Sequence, residues 1–272
     1  MRDNTWERRT TRRRFARPDK LLARLFLGTV LVYLFAPVMV TVLFSFTTSP
    51  RLSLPIEGLT LDWYGTAFSK PLVTKALANS VILAVATGVF AGTIGVLFSF
   101  GVMTLRRRVR TALLTASLVP AVMPLLVLGI ALAVFFYAIG LVQGLRNAAI
   151  GHVLVALPFV ILTMNARLET FDFTMLEAAR DLGASPWQTF RDVTLPIIRP
   201  SVLGAGLLAM ALSLDEFVVT WFNIGTEQTL PVVIWGLLRR GIDPSINALA
   251  TVVLASLVFL VVLSNRLNRR SV

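Results

Sequence analysis

Six long segments without a charged residue constrain this chain more than any other feature of its sequence. A helix needs about 20 apolar residues to cross the roughly 30 Å hydrocarbon core of a bilayer, and most of the segments reach that length. Of all residues, 56% are hydrophobic and 15% are charged, whereas soluble proteins average about 45–50% and 25%. The sequence therefore predicts an all-α membrane protein with six transmembrane helices, centred on Leu25–Phe46, Ala76–Leu105, Thr111–Leu145, Asn147–Ala166, Ser201–Leu214 and Ser245–Asn265.

The fifth segment is short because Asp215 and Glu216 interrupt it before the uncharged stretch Phe217–Ile224. We expect one helix to run through both carboxylates. A carboxylate near the bilayer centre costs about 2.5–3.5 kcal/mol on insertion scales, so charged residues inside spans are often functional. Adjacent helical residues point about 100° apart, so only one of the two can face a narrow path. Asp215 or Glu216 is therefore a candidate for the substrate path, with structural pairing or an aqueous outer vestibule as the alternatives.

The basic residues are distributed unevenly over the loops. Twenty of the 26 Lys and Arg fall in segments that alternate with those containing the other six. Cytoplasmic loops of membrane proteins carry such an excess, so the distribution fixes orientation and explains the net charge of +12 without nucleic-acid binding. The six that we assign to the outer side are Arg51, Lys70, Lys75, Arg146, Arg239 and Arg240.

This orientation divides the chain into three parts. Residues 1–24 form a basic cytoplasmic tail, residues 25–267 form the transmembrane domain, and residues 268–272 form a cytoplasmic C-terminus. The apolar stretch Leu230–Leu238 in the last outer loop is too short to span, and we expect it at the outer interface or folded back between helices.

The cytoplasmic loop of residues 167–199, between spans four and five, has consistent local signals for two short helices. Thr174 and Glu177 have the spacing of a capping box that starts the first helix. Gly183 is placed to end that helix in a left-handed conformation. Ser185 and Pro186 suit the cap and first turn of a second helix. The loop thus predicts a small surface helix tied to two membrane spans.

At this loop the chain resembles the permeases of binding-protein-dependent ATP-binding-cassette (ABC) importers. Glu177-Ala178-Ala179, Gly183, Val193 and Leu195-Pro196 fit their coupling-loop signature EAA-x3-G-x9-I-x-L-P, with Val193 in place of isoleucine. The resemblance implies that a partner ATPase contacts this helix through Glu177, Ala178, Ala179, Arg180, Asp181, Leu182, Gly183 and Ala184.

Downstream segments resemble the polyamine-type permeases of the spermidine/putrescine class. They are Ser213–Phe217, Thr229–Pro231 and Arg239–Ala248. This resemblance implies an importer in a bacterial inner membrane, working with a second homologous permease, two ATPase subunits, a soluble extracytoplasmic binding protein and the surrounding membrane lipid.

The chain itself is not expected to be an enzyme. It has no G-x-x-x-x-G-K-[ST] phosphate-binding loop, so ATP should be bound and hydrolysed by the partner ATPase. We identify no catalytic residue, metal ligand or cofactor in it. The single histidine, His152, lies near the outer start of span four, and we expect it to be packed or interfacial rather than a substrate ligand.

A secondary transporter or channel is the alternative function. In that case Asp215 and Glu216 would couple transport to protons or ions rather than to ATP hydrolysis.

Overall fold

The computed structural model describes residues 18–50, 53, 55–241 and 244–269. Most of the basic tail, residues 1–17, and the last three residues of the predicted cytoplasmic C-terminus lie outside the described residues.

The described residues fold into helices joined by short connections, with one isolated β-bridge between Thr47 and Leu59. A π-helical segment at Thr189–Thr194 precedes α10. The α-helices are α1 Pro18–Phe44, α2 Asp62–Phe68, α3 Pro71–Met103, α4 Arg107–Ser117, α5 Val119–Val122, α6 Leu125–Ala138, α7 Leu145–Glu169, α8 Thr174–Asp181, α9 Pro186–Gln188, α10 Leu195–Asp215, α11 Val218–Asn223, α12 Leu230–Leu238 and α13 Pro244–Arg269.

Five helical stretches in the described part of the chain are long and apolar enough to cross a membrane. Four are built on α1, α3, α7 and α13, where the first, second, fourth and sixth uncharged segments predict them. The other runs from Pro186 to Asp215 and contains α9, the π-helical segment and α10. The predicted all-α membrane fold is thus confirmed, with up to six spans when one bent pair is counted as a span.

The third predicted span is that bent pair rather than one straight helix. The stretch Arg107–Val122 meets α6 at an angle of 98°. The break lies at Met123 and Pro124, and both have extended backbone angles. Proline has no amide hydrogen and disfavours helical geometry in the residue before it, which explains the position of the bend.

The fifth predicted span also differs from the structure. The helix does not run through both carboxylates: α10 ends at Asp215, Glu216 is extended, and α11 begins at Val218. The expectation of a continuous helix rested on hydropathy, which does not register a local change of backbone direction.

The core lies where α3, α7 and α10 pack against one another. Small residues allow this close approach. Ala205 and Ala209 of α10 are buried beside Ala156 and Val160 of α7. Gly95 of α3 faces Val160 so closely that a Cβ atom at position 95 would overlap the valine Cγ1 and lie 3.1 Å from its Cβ.

A pair of alanine substitutions tests this packing. In Gly95→Ala the new methyl group meets Val160, whose branched side chain has few alternative rotamers, and overpacking of this kind costs about 1–3 kcal/mol. In the control Gly92→Ala, the new Cβ would be 3.9 Å from its nearest neighbour, the Gly206 Cα. We expect a lower thermal midpoint for the detergent-solubilised Gly95→Ala protein and an unchanged or slightly higher one for Gly92→Ala. Equal midpoints would show that α3 and α7 do not pack as described.

Candidate functional site

The break between α10 and α11 is stabilised by hydrogen bonds of its own residues. The extended backbone of Glu216, with φ −71° and ψ 106°, turns the chain out of α10. Its carboxylate Oε1 accepts a hydrogen bond from the Val219 amide at 2.8 Å. The Thr220 hydroxyl donates to the Glu216 carbonyl at 2.7 Å. The break is therefore a built feature, in which the Val219 amide and the Glu216 carbonyl both have partners.

The two carboxylates have different environments. Glu216 is 7% exposed and its carboxylate is engaged with the Val219 amide. Asp215 is exposed, and no hydrogen bond or ion pair holds its carboxylate within the described part of the chain. Both line one cleft of about 490 Å³, formed by residues of α5, α6, α7, α10, α11 and α13. We call this space the carboxylate cleft. Its free carboxylate belongs to Asp215.

Aromatic side chains surround the same break. The Phe217 ring lies 5.5 Å from the Trp235 ring of α12 and 5.7 Å from the Trp221 ring of α11. Asp215, Phe217 and Trp235 together line a second cleft of about 320 Å³. The Arg239 guanidinium already lies 5.0 Å from the centre of the Trp235 ring, so the Asp215 carboxylate is the group here that suits an organic ammonium ion.

The short helix α12 folds back against the membrane helices, one of the two placements that its length predicts. Its buried residues Leu230 and Val233 pack with Val73 and Ala76 of α3 and Leu249 of α13. This packing places Trp235 beside the break in the fifth span.

The loop before α12 is joined to α3 by polar contacts. The Lys75 ammonium lies 3.0 Å from Glu227 Oε2, and the Asn79 amide donates to the same oxygen at 3.2 Å. These hydrogen bonds lower the pKa of Glu227 below its ordinary value, the Lys75 contact most. The charged contact is therefore kept down to a lower pH than a glutamate of ordinary pKa would allow.

His152 of α7 is buried beside the break between α10 and α11. Its Nδ1 is 2.7 Å from Ser213 Oγ of α10, and its Nε2 is 2.6 Å from Thr220 Oγ1 of α11. The imidazole thus spans the interruption. Its burial agrees with the expectation of a packed histidine.

The predicted surface helix of the loop is present as α8, but its beginning differs from the prediction. Thr174 does not form the capping box with Glu177. Instead Asp172 Oδ1 accepts hydrogen bonds from the Thr174 amide at 3.0 Å and the Thr174 hydroxyl at 2.7 Å. These contacts lower the pKa of Asp172. The Asp172 carboxylate, rather than that of Glu177, therefore bonds the first turn of α8.

The end of α8 and the start of α9 agree with the sequence signals. Gly183 has φ +90°, its amide donates to the Arg180 carbonyl, and the Ala184 amide donates to the Ala179 carbonyl. This pattern is a Schellman motif, in which glycine takes the left-handed position. Ser185 caps α9 in a capping box with Gln188.

Apolar contacts fix this segment to the spans while leaving one of its faces exposed. Leu176 packs against the buried cluster that contains Met164 of α7 and Ile198 of α10. Phe190 contacts Phe100 of α3 edge to face at 6.3 Å. Ala178 of α8 is exposed, and Leu182, the residue that follows α8, is 89% exposed. Leu176 and Phe190 thus join this segment to α3, α7 and α10.

The structure does not bring the two predicted sets of site residues together. Residues 177–184 precede the start of α10, and Asp215 and Glu216 lie at its far end, which at 1.5 Å per residue is about 30 Å away. Within the described residues, no group of three or more His, Cys, Asp or Glu side chains could hold a metal ion.

Sequence reasoning missed the aromatic residues at the break and the partners of His152. The available signal was the spacing of Phe217 and Trp221 at i and i+4, which is also common in ordinary apolar helices.

Comparison with known proteins places this architecture in a family. Residues 84–272 match the family described as binding-protein-dependent transport system inner membrane component. The chain belongs to this family.

Its relatives include permeases of polyamine transport systems. The chain is 32% identical to the spermidine/putrescine transport system permease protein PotC of Escherichia coli K12, over 92% of this chain and 95% of the relative. It is 32% identical to the putrescine permease protein PotI of the same strain, over 82% of each. It is 30% identical to the molybdenum permease protein ModB of Mycobacterium bovis, over 80% of this chain and 88% of the relative.

Solved structures share the fold. A bacterial ABC transporter involved in the import of the polysaccharide alginate superposes with a TM-score of 0.68 at 18% identity, over 93% of this chain and 96% of that chain. The methionine transporter MetNI superposes with a TM-score of 0.61 at 17% identity, over 74% and 96%.

Proposed function

We propose that this chain is a permease subunit of an ABC importer that moves a polyamine, of the spermidine or putrescine kind, into the cytoplasm. The observation that carries the substrate class is the free Asp215 carboxylate beside Phe217 and Trp235 at the interrupted fifth span. The named polyamine permeases among its relatives support it independently.

The chemistry of the cleft favours a cation over an anion. A polyamine presents primary or secondary ammonium groups separated by short alkyl chains. Asp215 can accept hydrogen bonds from an ammonium group, and the apolar walls of the carboxylate cleft can contact the alkyl chain. An anionic solute would instead meet an uncompensated negative charge.

The proposal includes the partners and the orientation. A second homologous permease and two ATPase subunits complete the transporter, and an extracytoplasmic binding protein delivers the solute. Both chain ends and the loop of residues 167–199 face the cytoplasm, as the distribution of Lys and Arg favours. The chain is non-catalytic and has no cofactor of its own, since ATP is bound and hydrolysed by the ATPase.

Residues Glu177 to Ala184 are the proposed contact with the ATPase. The exposed face of α8 is available for a groove on that partner, with Ala178 exposed and Ala179 half-buried. The contacts of Leu176 and Phe190 with the spans provide the mechanical link.

The first prediction of the proposed function concerns Gly183. No atom outside its immediate neighbours lies within 4 Å of a Cβ placed there, so a substitution acts through the backbone angle and not through crowding inside this chain. We expect Gly183→Val to reduce uptake about tenfold or more, because a β-branched residue strongly disfavours φ +90°. Gly183→Asn should retain much more activity, since asparagine tolerates this conformation.

Uptake should be measured together with copurification of the ATPase and ATP hydrolysis. Equal uptake by Gly183→Val, Gly183→Asn and wild type would contradict the coupling assignment.

The second prediction separates the two carboxylates. Asp215→Asn removes the free charge of the cleft, so spermidine uptake at low concentration should fall about tenfold while assembly stays intact. Glu216→Gln keeps an oxygen that can accept from the Val219 amide and leaves Asp215 in place, so uptake should fall less.

The measurement is concentration-dependent uptake of labelled spermidine, normalised to the amount of copurified second permease. Wild-type uptake by Asp215→Asn at low spermidine would remove this carboxylate from solute recognition.

A further inference from the structure

We infer that His152 is a positioning residue: its ring, neutral and protonated on Nε2, holds the break in the fifth span open and thereby keeps Asp215 at the carboxylate cleft. The ring is 2% exposed and bonds both sides of the interruption, to Ser213 of α10 and to Thr220 of α11.

For a neutral ring, counting the available hydrogens fixes the direction of each bond in this network. The single hydroxyl hydrogen of Thr220 is donated to the Glu216 carbonyl. Thr220 can therefore only accept from His152, which places a hydrogen on Nε2. Nδ1 of the neutral ring must then accept, so the Ser213 hydroxyl donates to it.

The network continues to a third helix without conflict. With its own hydrogen given to His152, Ser213 accepts from the Thr87 hydroxyl of α3 at 3.2 Å. The three hydroxyl hydrogens, of Thr87, Ser213 and Thr220, and both ring nitrogens of His152 thus have a partner. A ring protonated on both nitrogens would force Ser213 to accept from it and to find a new acceptor for its own hydrogen.

The energetic role of the network follows from the break that it crosses. An interrupted helix in an apolar environment tends to close again, because closure returns carbonyl groups at the end of α10 to amide partners. The imidazole opposes closure by tying Ser213, two residues before Asp215, to Thr220, five residues after it. Leu128, Val155 and Val219 form a buried cluster on the facing sides of α6, α7 and α11, and such a water-poor setting strengthens the hydrogen bonds.

The direct test measures the exposure of position 215 and does not depend on the transported solute. The chain contains no cysteine, so Asp215→Cys provides a single reactive thiol. Its labelling rate is measured in membranes with a cationic, membrane-impermeant methanethiosulfonate, with His152 intact and with His152→Leu. The matched control is Ala121→Cys, an exposed position of α5 on the wall of the same cleft.

We expect His152→Leu to slow labelling of the thiol at position 215 about tenfold, the effect of losing both hydrogen bonds of the ring, and to leave labelling at position 121 unchanged. His152→Gln retains a donor for Thr220 and should give an intermediate rate. An unchanged rate at position 215 would overturn the inference, and so would an equal change at both positions, which would indicate general loosening of the bundle.

A second readout connects the network to transport, and this part rests on the proposed function. In the otherwise wild-type transporter, His152→Leu should raise the KM for spermidine about tenfold. Combined with Asp215→Asn it should add little, because both changes act on the same carboxylate. Full additivity of the two effects would contradict the positioning role. Absence of spermidine uptake by the wild-type transporter would instead reject the proposed function while leaving the labelling result to decide on His152.

Discussion

The site depends on one constraint: a helix interrupted inside an apolar layer must find new partners for its backbone groups. At the fifth span those partners come from the interruption itself, where the Glu216 carboxylate bonds an amide of α11 and the Thr220 hydroxyl bonds the Glu216 carbonyl. Glu216 therefore has a structural role. Its neighbour Asp215 has no such task, and its carboxylate lines the cleft. The interruption thus separates two adjacent carboxylates into a structural group and a candidate binding group.

Hydropathy predicted most of the fold, because the length of an apolar span is a property of composition. The two failures occurred where hydropathy stayed high while the backbone changed direction, at Met123–Pro124 and at Glu216. The bend at Pro124 could have been predicted from the sequence. The break at Glu216 could not, because Thr220 and His152, which stabilise it, come into contact only after α7 and α11 have packed. Local signals succeeded at Gly183 and Ser185, where the turn is decided by adjacent residues. They failed at Thr174, because the Asp172 carboxylate bonds its amide and hydroxyl in place of the predicted capping box.

The positions of the two sites suggest how a signal crosses the membrane domain. The exposed helix α8 precedes α10 in the chain and shares a buried cluster with it through Leu176 and Ile198. Asp215 and the break lie at the other end of α10. A displacement of α8 would therefore act on the start of α10, the helix that is interrupted at its far end. A small tilt of α10 would change the distance between Asp215 and Trp235, because Trp235 lies on α12, which packs against α3 and α13.

The most direct test of this account is uptake of labelled spermidine into proteoliposomes that contain the assembled transporter and enclosed ATP, with the binding protein added outside. We expect uptake that requires the ATPase subunits and hydrolysable ATP. We also expect this chain reconstituted alone to transport nothing, with or without an ion gradient. Spermidine uptake by this chain alone, driven by a proton or sodium gradient, would contradict the account and identify a secondary transporter.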